Sequence, residues 1–214
     1  MLIATRNAGK LRELRGLLDH EFVLYGTQLI DLQEAGVIET PEEDAIEAFE
    51  TFEENAKAKS EYFFRLTGYP TFADDSGLSI AAFAGTPGVR TKRWSGRTDL
   101  SGHELDTANN DKLVAELLAL PDGTAMSPAE YVCAAAFTDA GGTVVEMGRT
   151  AGHVSTVPVG TDGFGYDPFF YSDDLKMHFG EADMLAKSVI SHRGRAFTAL
   201  LRTLRREGRL KPRP

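Results

Sequence analysis

Cysteine is almost missing from this 214-residue chain. The lone Cys133 cannot form an internal disulfide, so no disulfide framework holds the fold, and a reducing compartment suits it. Long apolar runs are missing too. The longest, Val132 to Phe137, is far too short to span a bilayer, and Met1 to Arg6 leads into no apolar stretch of the kind a signal peptide needs. A soluble, cytoplasmic protein with no membrane partner is the expectation. No repeat and no low-complexity linker divides the chain. Cations are in deficit, 23 Lys and Arg against 32 Asp and Glu, a formal charge of −9. That is a poor match for non-specific nucleic-acid binding, whose affinity comes from neutralising phosphates. Two catalytic signatures are absent as well. There is no G-x-x-x-x-G-K-[ST] phosphate loop, and no G-x-S-x-G elbow that would make a hydrolase triad of Ser76, Asp167 and His192.

What is present is an ordinary globular composition, 42% apolar and 26% charged, in a chain long enough for one large domain or two small lobes. Leu2 to Thr5 reads as a strand, and Leu11, Leu14, Leu17 and Leu18 follow at helical spacing. Phe22 to Tyr25 reads as a second strand. Between Thr40 and Leu66 two capping boxes compete, Thr40/Glu43 and Thr51/Glu54. The later start is favoured, with an acidic loop or short turn before it and with Phe52, Ala56, Phe63 and the stem of Lys59 on one face. Pro70 to Ala73 reads as a strand running into Asp74-Asp75-Ser76-Gly77, and Pro87 to Gly96 as a loop. Ser101 and Glu104 offer a capping box for a helix through Leu105, Leu113, Leu117 and Leu118. Tyr131 to Thr138 and Thr143 to Met147 flank Ala-Gly-Gly, a hairpin signal. Gly160 to Pro168 reads as a glycine-rich loop and Phe169 to Tyr171 as a strand. A final helix from about Gly194 carries Phe197, Leu200, Leu201 and Leu204. Helices and strands without strict alternation predict an α/β fold with a mixed sheet.

Several segments carry chemistry-bearing residues. Thr5-Arg6-Asn7-Ala8-Gly9-Lys10 is a strand, a polar turn and a helix start, where backbone N–H groups and a lysine attract anions; capping by Asn7 beside a solvated Lys10 is the bland alternative. Asp74 and Asp75 are adjacent carboxylates at the end of an apolar stretch. They suit Mg²⁺, which takes one or two protein carboxylates, waters and substrate phosphates; an Asp-Ser-Gly turn is the alternative. The acidic run Glu42, Glu43, Asp44, Glu47, Glu50, Glu53 and Glu54 is mostly a solvated face. One member can complete a metal site with Asp75, and spacing does not choose which. In Gly163-Phe164-Gly165-Tyr166-Asp167-Pro168, glycines let backbone approach a ligand and aromatics can stack on a base, or pack in the core. Lys187, His192 and Arg193 converge within seven positions and can read a polar ligand or neutralise phosphate, with Ser191 as a helix cap the alternative. The arginine-rich tail (Arg202, Arg205, Arg206, Arg209, Lys211, Arg213) reads as a solvated helix end.

Taken in order, these segments resemble the inosine triphosphate pyrophosphatase family, the XTP/dITP diphosphatases. The matching pieces are Thr5 to Lys10, Thr51-Phe52-Glu53-Glu54-Asn55-Ala56, Ala73-Asp74-Asp75-Ser76-Gly77-Leu78, Pro87-Gly88-Val89, Arg93-Trp94-Ser95-Gly96, Gly163 to Pro168, and Lys187 with Ser191-His192-Arg193-Gly194. The resemblance covers nearly the whole chain. It implies one domain with a mixed sheet in two lobes around a deep cleft, a homodimer, and Mg²⁺-dependent conversion of ITP, dITP or XTP to the monophosphate and pyrophosphate, which cleanses the nucleotide pool. It also implies roles. Asp75 is the general base and a metal ligand, and Glu47 the second metal-binding acid. Thr5, Arg6, Asn7, Ala8, Gly9 and Lys10 bind the triphosphate, with Lys10 catalytic as well. Ser76 is a further substrate contact, and Phe164, Gly165, Tyr166, Asp167, Lys187, His192 and Arg193 form the base-binding wall. Three departures stand out: Thr91-Lys92-Arg93-Trp94 for Ser-Ala-Arg-Tyr, Phe49 for the glycine usual before Thr-Phe, and Asp162 for a small residue. Phe49 loosens the alignment of Glu47, so Glu43 and Glu50 remain alternatives. Competing functions are a pyrophosphatase for modified pyrimidine triphosphates and a non-catalytic nucleotide sensor.

Overall fold

The computed structural model describes residues 1–23, 27–121 and 123–210, with the side chains of 20, 21, 23, 44, 184 and 185 left aside. In chain order the elements are β1 (Leu2–Ile3), α1 (Ala8–Val23), β2 (Ile30–Asp31), α2 (Phe52–Thr67), β3 (Thr71–Ile80), α3 (Gly102–Leu118), β4 (Met126–Asp139), β5 (Gly142–Ser155), β6 (Phe170–Ser172), β7 (Met177–His178), α4 (Met184–Ile190) and α5 (His192–Arg206). Short 3₁₀ turns cover Pro41–Ala45, Ala81–Phe83, Gly88–Arg93 and Asp167–Phe169. The seven strands form one sheet in the order β2-β1-β3-β4-β5-β6-β7. β1 runs parallel to both β2 and β3, whereas β5, β6 and β7 pair antiparallel. The α/β fold with a mixed sheet is as the sequence predicts. Among the described residues no helix is long and apolar enough to cross a membrane.

The chain forms two compact units. One comprises Met1–Asp75, Cys133–Gly148 and His192–Pro214; the other Ser76–Val132 and Arg149–Ser191. Each has its own core. In the first, Phe72 of β3 meets Phe22, Phe137 and Phe197 at ring-centroid distances of 5.7, 4.6 and 6.2 Å, among Leu14, Leu18, Leu200, Leu201 and Leu204. In the second, Tyr131, Phe170 and Phe179 pack together with Leu78, Ile80, Leu113 and Leu117.

Local expectations fare unevenly, each for a physical reason. Helix α2 begins at the later capping box: Thr51 Oγ1 accepts from the Glu54 N–H at 3.2 Å and donates to the Glu54 carboxylate at 2.7 Å. The acidic segment before it is a 3₁₀ turn whose preceding Thr40 makes no side-chain cap. The expected strand at Phe22 to Tyr25 is overturned. Phe22 and Val23 end α1, because Leu14, Leu18 and Phe22 continue one helical stripe at four-residue spacing; Leu24 and Tyr25 lie outside the described residues. The strand expected to end at Ala73 is longer, which excludes the alternative Asp-Ser-Gly turn. β3 runs straight on to Ile80, because Leu78 and Ile80 have a core to enter. Pro87 to Gly96 is partly a 3₁₀ turn rather than all loop. Ser101 precedes α3 without capping it through its side chain, and Leu118, expected on the apolar face, is exposed. The hairpin forms but is longer, fourteen residues in each strand. β6 starts one residue late because Asp167–Phe169 turns first. The last helix starts at His192, after an unforeseen α4 that ends where Ser191 turns extended. Of the basic tail, Arg209 is clamped on Asp139 at 2.5 Å, and Lys211 and Arg213 lie outside the described residues.

Thr51→Ala removes the one side-chain acceptor at the start of α2. The loss is expected to cost about 1 kcal/mol, read as a lowered midpoint of urea unfolding at unchanged slope; an unchanged midpoint contradicts the capping role.

Candidate functional site

Asp74 and Asp75 leave β3 on opposite faces, since side chains alternate along a strand. Both are buried: Asp74 has no exposed surface and Asp75 6%. Their surroundings in the first unit differ sharply. Asp74 is ringed by cations. Lys10 Nζ lies 3.2 Å from its Oδ2, and Arg193 Nε donates to the same oxygen at 3.2 Å. Arg193 is itself buried and also pairs with Glu13. Burial alone would raise the Asp74 pKa, but Lys10, Arg193 and Lys59 hold it well below the ordinary carboxylate range. Asp75 feels the opposite balance. Burial pushes its pKa up; Lys10 opposes this, Glu47 adds to it, and Lys59 with the Asn55 amide opposes it again, for a net rise to about 6. Two neighbouring carboxylates are thus split by environment into a permanent anion and a group poised near neutrality, as befits a proton acceptor.

The turn before α1 supplies the positive side. Asn7 Oδ1 accepts from the Lys10 N–H at 2.9 Å and so caps α1, while Thr5 Oγ1 accepts from the Asn7 N–H at 3.2 Å. The first-turn N–H groups of Ala8 and Gly9 have no intrahelical acceptor, which is the usual basis of anion binding at a helix start. Arg6 turns elsewhere. It forms a two-pronged pair with Glu43 at 3.1 and 2.7 Å and donates to the Val37 carbonyl at 3.0 Å, tying the acidic segment to this turn. Glu47 pairs with Lys59. Burial opposes its charge, but Lys59 and Lys10 keep its pKa below the ordinary value.

The donor set suits a hard divalent cation. Asp75 and Glu47 offer carboxylate oxygens only, and the Glu47 charge disfavours that of Asp75, a repulsion that a bound cation would relieve. Among the described residues no group of three or more His, Cys, Asp or Glu side chains forms a metal cage. Two carboxylates with the remaining positions left to water and phosphate match Mg²⁺ rather than a structural ion.

The remaining candidates divide between the units. His192 and Arg193 start α5 in the first unit, both buried. Ser76, Phe164, Gly165, Tyr166, Asp167 and Lys187 belong to the second. There Asp167 organises the glycine-rich loop. Its Oδ2 accepts from the Phe164 N–H at 2.9 Å and from Lys187 Nζ at 2.7 Å, and Lys187 also lies over the Phe179 ring, 4.9 Å from its centroid. A Cβ on Gly163 would stand 2.1 Å from that Asp167 oxygen, and its φ of +84° disfavours any side chain. Tyr166 donates to the Thr91 carbonyl at 3.0 Å and packs against Trp94. Ser76 is half-buried in β3.

Sequence reasoning missed Lys59 as a charge. It was read through its aliphatic stem, yet its ammonium is held by Glu47, Asp74 and Asp75, which keep its pKa raised against burial. The available signal was the four-residue spacing of Asn55 and Lys59, two polar side chains on the face that also carries buried Phe52, Ala56 and Phe63.

The Asp75 balance has a thermodynamic consequence. In the metal-free folded chain Asp75 keeps its proton up to about pH 6, whereas unfolded it loses it near 4. Folding stability therefore falls as pH rises from about 4 to about 6, by an amount on the order of 3 kcal/mol, and the penalty stays constant above that. Asp75→Asn removes it. The variant is expected to melt roughly 5–10 °C above the wild type at pH 8 without metal and about equally at pH 4; equal melting at pH 8 contradicts the balance.

The chain also has known relatives. A protein-family model, the Ham1 family, matches residues 1–203. The dITP/XTP pyrophosphatase of Mycolicibacterium paratuberculosis is 42% identical over 205 residues, 95% of each chain. Among solved structures, a HAM1 protein from Coxiella burnetii superposes with a TM-score of 0.77 at 31% identity, over 96% of this chain and 98% of that one. The nucleoside-triphosphatase / dITP/XTP pyrophosphatase of Mycobacterium abscessus gives 0.66 at 38% identity, over 95% and 98%.

Proposed function

This chain belongs to the Ham1 family, and we propose that it acts as a dITP/XTP pyrophosphatase, cleaving a deaminated purine triphosphate to the monophosphate and pyrophosphate. The observation that carries the chemistry is the unequal pair in β3, an ion-paired Asp74 beside an Asp75 whose pKa stands at about 6. Release of pyrophosphate requires attack at the α-phosphorus. Asp75 accepts a proton from the attacking water as the new P–O bond forms and the α–β bridging bond breaks. Lys10 and the start of α1 bind the triphosphate, with Thr5, Arg6, Asn7, Ala8 and Gly9 shaping that turn. Asp74 holds the Lys10 ammonium in place, 3.2 Å away. Asp75 and Glu47 hold Mg²⁺, which when bound supplies charge neutralisation for the phosphate oxygens. Most of the catalysis is positioning and electrostatics, as in phosphoryl transfer generally.

Within the second unit the base is read by Phe164, Gly165, Tyr166, Asp167 and Lys187. An ammonium has three N–H groups and no acceptor. Lys187 uses one on Asp167, and a donor of this kind suits the six-carbonyl of hypoxanthine and xanthine. Adenine presents an amino group there, and a buried donor left unmet costs about 1–3 kcal/mol. The whole chain serves as one nucleotide-hydrolysing domain, working in the cytoplasm as a homodimer.

A nucleotide panel tests the reading. Pyrophosphate release is expected from dITP and XTP with Mg²⁺ and not without it, and weakly if at all from dATP; preference for dUTP or methylated dTTP points to the pyrimidine alternative, and binding without turnover to a sensor. Asp75→Asn is expected to lower kcat by roughly 10²–10⁴, and full activity in that variant removes it as the base. Lys10→Ala should raise KM for dITP by about tenfold or more; unchanged kinetics contradict its role.

A further inference from the structure

Asn55 lies on α2, 1% exposed, and both ends of its side-chain amide are hydrogen-bonded. Oδ1 accepts from the Phe49 N–H at 2.9 Å. Nδ2 donates to the Phe49 carbonyl at 3.2 Å and to Asp75 Oδ2 at 2.9 Å. The two contacts to Phe49 settle the orientation of the amide, since a backbone N–H needs an acceptor and a carbonyl a donor. With the amide so fixed, the second N–H of Nδ2 has one direction left, toward the carboxylate. We propose that Asn55 is a positioning residue that holds the Asp75 carboxylate and the segment bearing Glu47 in one frame.

The geometry behind this is short-range on both sides. Phe49 stands two residues after Glu47, in a stretch with no regular secondary structure of its own, so the Asn55 clamp supplies the order that a helix or ladder would otherwise give. Lys59, one turn further along α2, pairs with Glu47 itself. One helix face thus grips the acidic segment at two points and touches Asp75 at a third. Phe49 stands where the family resemblance implies a glycine, and the residue is 46% exposed. The grip is on the backbone and tolerates the change of side chain. Groups that orient a metal ligand without touching the metal are typically worth about 10–100-fold in metal affinity or activity. The inference rests on the reading of Asp75 and Glu47 as the Mg²⁺-holding pair.

The test uses full-length Asn55→Ala and, because a buried amide is being removed, Asn55→Ser as a second variant, each checked for native circular dichroism. Mg²⁺ affinity without nucleotide is measured by competition with Mn²⁺ in electron paramagnetic resonance. Amide exchange at Phe49 is followed alongside, with kcat and KM for dITP. The expected result is Mg²⁺ affinity weaker by about 10–100-fold, kcat lower by a similar factor, KM nearly unchanged, and faster exchange at Phe49. Folded variants with Mg²⁺ affinity and kcat within about twofold of wild type overturn the inference, even if they are less stable. A wild type that binds no Mg²⁺ and releases no pyrophosphate overturns instead the reading on which it rests.

Discussion

A carboxylate with no exposed surface stays ionised only where cations are built around it, and in this protein that carboxylate is Asp74. Lys10 comes from the start of α1, Lys59 from α2 and Arg193 from the start of α5. Three helices are therefore pinned to one point of β3 by charge. The same cations set the character of the neighbour. Asp75 shares Lys10 and Lys59 but not Arg193 among its dominant partners, and it faces Glu47 as well. Burial then prevails and its pKa rises. One sequence dipeptide yields two chemically distinct acids because strand geometry turns them to different surroundings.

The charges of this protein are unevenly placed. Net charge is −9, but the first unit gathers Lys10, Lys59 and Arg193 around a few carboxylates. Each cation is held in place by an acid. Those three cations face Asp74, Asp75, Glu47 and Glu13, so the cluster has no positive excess of its own, and anion attraction falls to the backbone N–H groups at the start of α1.

Local features of the site were legible in the sequence. The helix starts after Asn7 and after Thr51 depend on residues within a few positions of each other, and both caps form. The partners were not legible. Arg193 meets Asp74 across 119 positions and Glu13 across 180, and no local pattern encodes such meetings. The extension of β3 past Ala73 through Gly77 has the same origin. Turn-forming residues there were overruled by a core that Leu78 and Ile80 enter and by cations that satisfy the carboxylates within the strand. Lys59 was misread because a buried amphipathic face was assumed to be wholly apolar, whereas α2 turns Asn55 and Lys59 inward as well.

The central claim is that one environment divides Asp74 from Asp75, and carboxyl-carbon NMR of the metal-free protein tests it most directly. With both side chains assigned through Asp→Asn variants, the account predicts that Asp75 titrates near pH 6 while Asp74 stays ionised to the lowest pH at which the fold survives. Two carboxyls titrating together near the ordinary value of about 4 would contradict it.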